Sequence, residues 1–162
     1  MGSGLSFLHY GHKVRRVIGV EPSAPLLRMA GQAAQRVTFP VDLICVSAEE
    51  LSLPDSSVDT AVTTWTVCTI PDPTEALREV RRVLRSSGQL VFVEHGLAPE
   101  PGVAGWQDRL TPFWCRCAGG CHLNRPIADL VCDAGFSLTN LRTGYMTRPK
   151  FASLMYEGFA RP

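Results

Sequence analysis

The chain has 162 residues, 45% of them hydrophobic, which is enough apolar material for one continuous core and points to a single domain over residues 1–162. Sixteen basic against fifteen acidic residues leave a formal charge of +1, so no whole-molecule field draws the protein to nucleic acid or to an anionic membrane, and a small molecule is the expected partner. No run of about 18 apolar residues is present and the N-terminus lacks the order of a signal peptide, so a cytoplasmic protein without a transmembrane segment is expected.

In chain order, short β-rich runs alternate with segments of helical period, the pattern of βα units around a mostly parallel sheet. Val17 to Val20 reads as a strand ending at Glu21. The period then changes, with Leu26, Leu27, Ala30, Ala33 and Ala34 on one helical face and Ser23 as N-cap. Val41 to Val46 is a second strand, and a polar loop, Ser47-Ala48-Glu49, follows it. Val58 to Trp65, rich in Val and Thr, is a third. Asp72 then caps a helix with Pro73 at its first position and Glu75 in capping-box spacing. Its buried stripe is Ala76, Leu77, Val80, Val83 and Leu84, and Gly88 is expected to end it. Gln89 to Glu94 is the next strand.

Residues 97–123 break the alternation. Val103, Trp106, Leu110, Phe113, Trp114 and Cys117 predict an inserted amphipathic helix, read as a substrate cap. Asn124-Arg125-Pro126 opens another helix that Gly135 stops, and late strands are expected over residues 136–141 and 153–160. The cysteines at 45, 68, 115, 117, 121 and 132 are expected to be reduced. Cys45 and Cys68 fall in apolar strand-like runs, where free thiols pack as small hydrophobes.

In an open α/β sheet a ligand lies beyond the carboxyl ends of the strands. Gly2-Ser3-Gly4 precedes the first complete strand, and Glu21 ends that strand seventeen residues after Gly4. Glycines let backbone approach a cofactor closely, and an acidic residue at a strand tip can accept hydrogen bonds from both ribose hydroxyls. Taken singly these features are as common in ordinary turns.

Together with Val-Ile-Gly-Val-Glu-Pro-Ser, Ser47-Ala48-Glu49-Glu50-Leu51, Leu53-Pro54, Ser57-Val58-Asp59, the run from Thr66 to Pro73 and the run from Glu79 to Leu90, the sequence resembles the class I S-adenosylmethionine (SAM)-dependent methyltransferases of the type 11, UbiE-like kind. Glu94-His95-Gly96 and the stretch from Gly120 to Arg125 are similar to the branch that includes small-molecule and thiol methyltransferases. The resemblance implies a Rossmann-like, doubly wound, mostly parallel sheet with an antiparallel C-terminal strand. It implies SAM as cofactor and a small-molecule methyl acceptor reacting through sulfur, oxygen or nitrogen. It places Gly2 and Gly4 against the methionine part of SAM, Glu21 on the ribose hydroxyls and Pro22 on the adenine face. Ala48 and Glu49 fall at the adenine edge, and Thr66 and Val67 near the methyl group. An NAD-dependent oxidoreductase would share the glycine loop and Glu21, but leaves Ser47-Ala48-Glu49 and the run from Cys68 to Pro73 without a role.

The family's loop begins with an acidic residue and a further glycine, after a strand that occupies the centre of the sheet. That strand is absent from the sequence, so the reading expects an upstream start, with a non-catalytic remnant acting as a partner subunit as the second hypothesis. His95, directly after a strand, is the candidate for contacting the acceptor or moving its proton. Trp106, Phe113, His122 and Arg125 are the candidates for binding the acceptor, Arg125 alternatively capping the helix that follows. The run Cys115-x-Cys117-x3-Cys121-His122 matches no standard zinc spacing, so no metal is expected from it. Arg78, Arg81, Arg82 and Arg85 read as a solvated helix face.

Overall fold

A computed structural model describes residues 1–162, which form two compact units, Met1–Ser52 and Leu53–Pro162.

The first unit contains two parallel strands, β1 (Val17–Val20) and β2 (Val41–Ile44), joined through helix α1 (Ala24–Ala34). Ser23 takes the N-cap position with extended backbone but makes no side-chain cap, and the Pro25 ring occupies the first turn, where an N–H would be unpaired anyway. Of the predicted apolar face of α1, Ala30 alone is fully buried and Leu26 is exposed. A 3-10 turn, Leu5–His9, drops Phe7 onto Ala30. Gly4 makes this possible: it adopts φ +79, and a Cβ there would stand 2.9 Å from the Phe7 ring and 3.0 Å from the Ala30 backbone.

The second unit is built on a four-stranded sheet ordered β3-β4-β6-β5, with β3 (Val58–Thr64), β4 (Leu84–His95), β5 (Ser137–Tyr145) and β6 (Leu154–Arg161). β3 and β4 are parallel, and β6 runs antiparallel to both of its neighbours, as expected of the C-terminal strand. Helix α2 (Pro73–Val83) makes the crossover from β3 to β4, with Asp72 accepting the Glu75 N–H at 3.0 Å as its cap. Its buried side is Ala76, Leu77 and Val83; Leu77 joins Leu90, Phe92, Ile127, Val131 and Phe136 in the main core, and Val80 packs against it. Helices α3 (Pro101–Cys117) and α4 (Ile127–Asp133) complete the unit, and no helix is long and apolar enough to cross a membrane.

Three expectations change. Gly88 does not cap α2, which ends at Val83 and passes straight into β4 through Leu84. The register jumps from Val58 opposite Leu84 to Thr60 opposite Gln89, so residues 85–88 bulge out of the ladder. Gly88 closes that bulge, because a Cβ there would lie 2.9 Å from the Arg85 carbonyl and 3.0 Å from that of Asp59. Neither Cys45 nor Cys68 is in a strand: Cys45 is exposed beyond the end of β2, and Cys68 is buried in the turn after β3. On α3 the buried side chains are Gln107 and Thr111, while Trp106 and Phe113 stand exposed at 55% and 67%. The arginines of α2 are engaged locally, Arg78 with Glu75, Arg82 with Glu79 and Asp55, and Arg81 with the Gly135 carbonyl; just beyond the helix, Arg85 pairs with Asp59.

The centre of the sheet contains a second close approach. Phe92 on β4 faces Gly158 on β6, and a Cβ on Gly158 would come within 2.5 Å of the Phe92 ring and 2.7 Å of the Asn140 carbonyl. The ring can turn, but the carbonyl belongs to the β5 ladder and cannot. Gly158→Ala is therefore expected to destabilise the protein by about 1–3 kcal/mol, read as a lower urea midpoint at unchanged m-value.

At the edge of this unit, the Tyr145 hydroxyl on β5 donates to the carboxylate of Glu100, the N-cap residue of α3. Partial desolvation and the nearby carboxylate push the Tyr145 phenol up to about 12, and the donated hydrogen bond holds Glu100 below the usual carboxylate range. The lowered Glu100 value contributes stability that is complete above the carboxyl's unfolded value and is lost as pH falls through the folded one. The raised Tyr145 value contributes stability that is complete below 10.0 and lost as pH rises toward about 12. Glu100→Gln should move the Tyr145 phenolate absorbance titration down toward 10.0; an unmoved titration would contradict the contact.

Candidate functional site

In the first unit the loop before β1 and the tip of β1 come together around one carboxylate. Glu21 is 8% exposed, and its backbone N–H pairs with the Ile44 carbonyl of β2, which fixes the strand tip. Its Oε2 accepts the Gly2 N–H at 2.8 Å and faces the Met1 ammonium at 3.5 Å; its Oε1 accepts the Ser23 N–H at 3.0 Å. Gly2 adopts φ +65, and no atom lies within 4 Å of where its Cβ would be, so open space borders the backbone there. Pro22 is exposed beside Glu21. After β2, the Ser47 hydroxyl donates to the Glu49 carboxylate, and the Glu50 N–H closes the turn on the Ser47 carbonyl, leaving Ala48 half-buried at its bend. Gly2, Gly4, Glu21, Pro22, Ala48 and Glu49 all belong to this unit.

In the second unit the turn after β3 is held from three sides. Glu94, fully buried on β4, accepts the Cys68 N–H at 3.2 Å through Oε2. Burial pushes its carboxyl up, and backbone N–H groups of Thr66, Cys68 and Val67 oppose that shift. The His122 N–H donates to the Cys68 carbonyl at 2.7 Å, and the Arg125 guanidinium donates to the Val67 carbonyl. Arg125 thus neither caps α4, whose N-cap is Pro126, nor stands free, and partial burial lowers its pKa. Val67 turns its side chain into the core, while Thr66 stays half-buried on the turn. Trp65, at φ +49, is one of two non-glycine residues in the left-handed region. The cost of that conformation places its indole against the His95 ring, stacked at 6.0 Å between centroids.

This turn delivers Cys68 to a cluster that sequence spacing does not show. His95 Nδ1 lies 3.3 Å from Cys121 Sγ, which lies 3.7 Å from Cys68 Sγ. The two sulfurs share a hydrogen bond. With the Cys68 thiol and then the His95 ring stabilising its charge, the Cys121 thiol is pulled down to about 5, and Cys68 is pushed up. Of the run expected to form a cap loop, Cys115 points its thiol at the Cys121 carbonyl, Cys117 is exposed, and the His122 Nδ1 is buried without a partner. Trp106 and Phe113, on the outer face of α3, do not join the cluster.

A model of the methyltransferase domain matches residues 1–92. The thiol S-methyltransferase TMT1B of Rattus norvegicus is 40% identical over 90 residues, 55% of this chain and 37% of that protein. The phosphatidylethanolamine N-methyltransferase of Cereibacter sphaeroides is 32% identical over 115 residues, 70% of this chain and 56% of that protein. The chain therefore spans only about a third to a half of the length of these relatives. A SAM-dependent methyltransferase of Methanosarcina mazei has the same fold, with a TM-score of 0.77 over 99% of this chain and 88% of that one, at 22% identity.

The sequence also hides the residue that secures the loop after β4. Gln107 on α3 is 1% exposed; its Oε1 accepts the Ala98 N–H at 2.8 Å, and its Nε2 donates to the carbonyls of Gly96 at 3.0 Å and Phe151 at 3.2 Å. A polar residue on the buried side of an amphipathic helix is the signal that would have found it. Gln107→Leu keeps the bulk but orphans three buried backbone groups, so a loss of about 3 kcal/mol is expected in urea unfolding. A loss below about 1 kcal/mol would show that water replaces these bonds.

Proposed function

Because the chain belongs to the methyltransferase-domain family, we propose that it transfers a methyl group from SAM to a small-molecule acceptor. The observation that carries this reading is the Glu21 carboxylate, buried at the tip of β1 and already gathering backbone N–H groups beside the open face of Gly2. A carboxylate offers about four lone-pair positions, and three donors approach this one, the Met1 ammonium most distantly. Two ribose hydroxyls fit once that ammonium gives way. Gly2 then presents backbone without a Cβ to the methionine part, and Pro22 and Ala48 offer apolar contact at the adenine.

The cofactor supplies an electrophilic methyl on a sulfonium, so the protein's task is mainly to orient an attacking atom and to exclude water. His95 has its Nδ1 committed to Cys121, leaving Nε2 as the nitrogen that takes an acceptor's proton. Thr66 offers a half-buried hydroxyl, bonded to the Thr64 carbonyl, on the turn after β3, and His122 and Arg125 act by holding that turn. The reading includes a cytoplasmic setting, supported by six cysteines that are all free thiols.

Calorimetric titration of the 162-residue chain with S-adenosylhomocysteine tests it. Binding is expected, and Glu21→Ala should weaken it about 10- to 100-fold, the value of hydrogen bonds to a charged group. Undiminished affinity in a folded Glu21→Ala protein would overturn the ribose assignment, and no binding by the parent chain would overturn the cofactor.

A further inference from the structure

We propose that Cys68, His95 and Cys121 form a zinc site with one coordination position open to a thiolate ligand. The three donor atoms, two sulfurs and one imidazole nitrogen, lie within 4.8 Å of one another. Zn–S and Zn–N bonds of about 2.3 and 2.05 Å in a tetrahedron require about 3.8 Å between two sulfurs and about 3.6 Å between sulfur and nitrogen. The observed edges through Cys121 are 3.7 Å and 3.3 Å, so two of the three already have nearly the required lengths. The third, Cys68 to His95, is at most 4.8 Å and closes by a side-chain adjustment.

The surroundings also suit a metal. Cys68 is fully buried and Cys121 is 6% exposed, so the sulfurs are shielded from solvent while His95 remains half-buried and reachable. The donor set is soft and contains no carboxylate, which favours zinc over magnesium or calcium. Each ligand is held by something that does not depend on the metal: Cys68 by the Glu94 and His122 bonds to its peptide groups, His95 by stacking on Trp65, and Cys121 by the Cys115 thiol on its carbonyl.

Two cysteines and one histidine leave a tetrahedral ion one position short, as in catalytic rather than structural sites. A small thiol, RSH, binding there gives up its proton and coordinates as thiolate, a nucleophile at neutral pH. In this respect the proposal rests on the methyl-transfer reading and narrows its acceptor to thiols. In methyl transfer to a thiolate the sulfur pair attacks a sulfonium methyl, the new C–S bond forms as the old one breaks, and a neutral thioether leaves with the uncharged cofactor product. With Nδ1 on the metal the His95 ring carries its hydrogen on Nε2, so the thiol's proton passes to solvent, and the base role of Nε2 applies only to an acceptor that is not metal-bound.

The test begins with zinc content. The chain, expressed with zinc supplementation and purified without chelators, is expected to retain one zinc per molecule by elemental analysis. Cys121→Ser and Cys68→Ser should lose it, and Cys117→Ser and Cys132→Ser, at exposed positions, should keep it. Because the buried variants can fail to fold, the parent protein is also stripped and loaded with cobalt, which should give the visible spectrum and sulfur charge-transfer bands of a tetrahedral two-thiolate site. Adding 2-mercaptoethanol should then raise the charge-transfer intensity by about half, from two thiolates to three. Protein that holds no zinc and gives no such cobalt spectrum overturns the site, and a spectrum unmoved by the thiol overturns the open position. S-adenosylhomocysteine binding measured on the same samples separates the two readings. Zinc without cofactor binding defeats methyl transfer alone, and cofactor binding without zinc defeats the metal site alone.

Discussion

The second unit is organised by the burial of one carboxylate. β4 alternates with period two, and its inward row runs Leu90, Phe92 and Glu94 and continues in the loop with buried Gly96 and Ala98, so Glu94 takes a place otherwise apolar. A carboxyl group in that position must either neutralise or collect donors, and the nearest donors are the N–H groups of the turn after β3. The donors that Glu94 collects therefore tie it to the path of Thr66, Val67 and Cys68. Much of the site follows from that path. The Cys68 thiol is turned toward Cys121, the Val67 carbonyl becomes the anchor for Arg125, and the Cys68 carbonyl becomes the anchor for the loop entering α4.

His95 follows Glu94 directly, and alternation along a strand sends neighbouring side chains to opposite faces. One residue satisfies the buried turn and the next is presented to the cluster. The Trp65 strain fits this scheme, because a residue in the left-handed region at the end of β3 reverses the chain quickly enough for the indole to cover the imidazole. That conformation costs on the order of 1–3 kcal/mol, and such a cost persists only where surrounding contacts over-determine it.

Much of this architecture is legible in the sequence because local signals dominate. The Asp72-Pro73 cap, the Gly135 stop at φ +90 and the two C-terminal strands all depend on residues close in the chain. The approach of Glu21 to Gly2 is also legible, since a strand tip and its preceding loop are near neighbours in space. Gly88 misleads because a glycine after an amphipathic run satisfies both a helix cap and a close backbone approach, and only the partner carbonyl of Asp59 decides between them. The outward Trp106 and Phe113 mislead for a related reason: apolar spacing defines a face, but Gln107 and Thr111 win the buried side because Gln107 pays three backbone bonds for its place.

The Cys68, His95 and Cys121 cluster is illegible for a different reason. Its members are 27 and 26 residues apart in sequence and are delivered by a strand end and two turns, so no local spacing encodes them. Zinc motifs are recognisable in sequence when ligands share a knuckle or a helix, and the run from Cys115 to His122 has no such spacing. The fold instead takes one residue of that run and turns its neighbours elsewhere, Cys115 onto the Cys121 carbonyl and Cys117 to solvent. Sites assembled at the carboxyl ends of parallel strands have this character generally, because adjacent strand ends are separated by a whole crossover. The information that locates such a site in a single sequence is therefore the out-of-place polar residue beside it, and here that residue is Glu94.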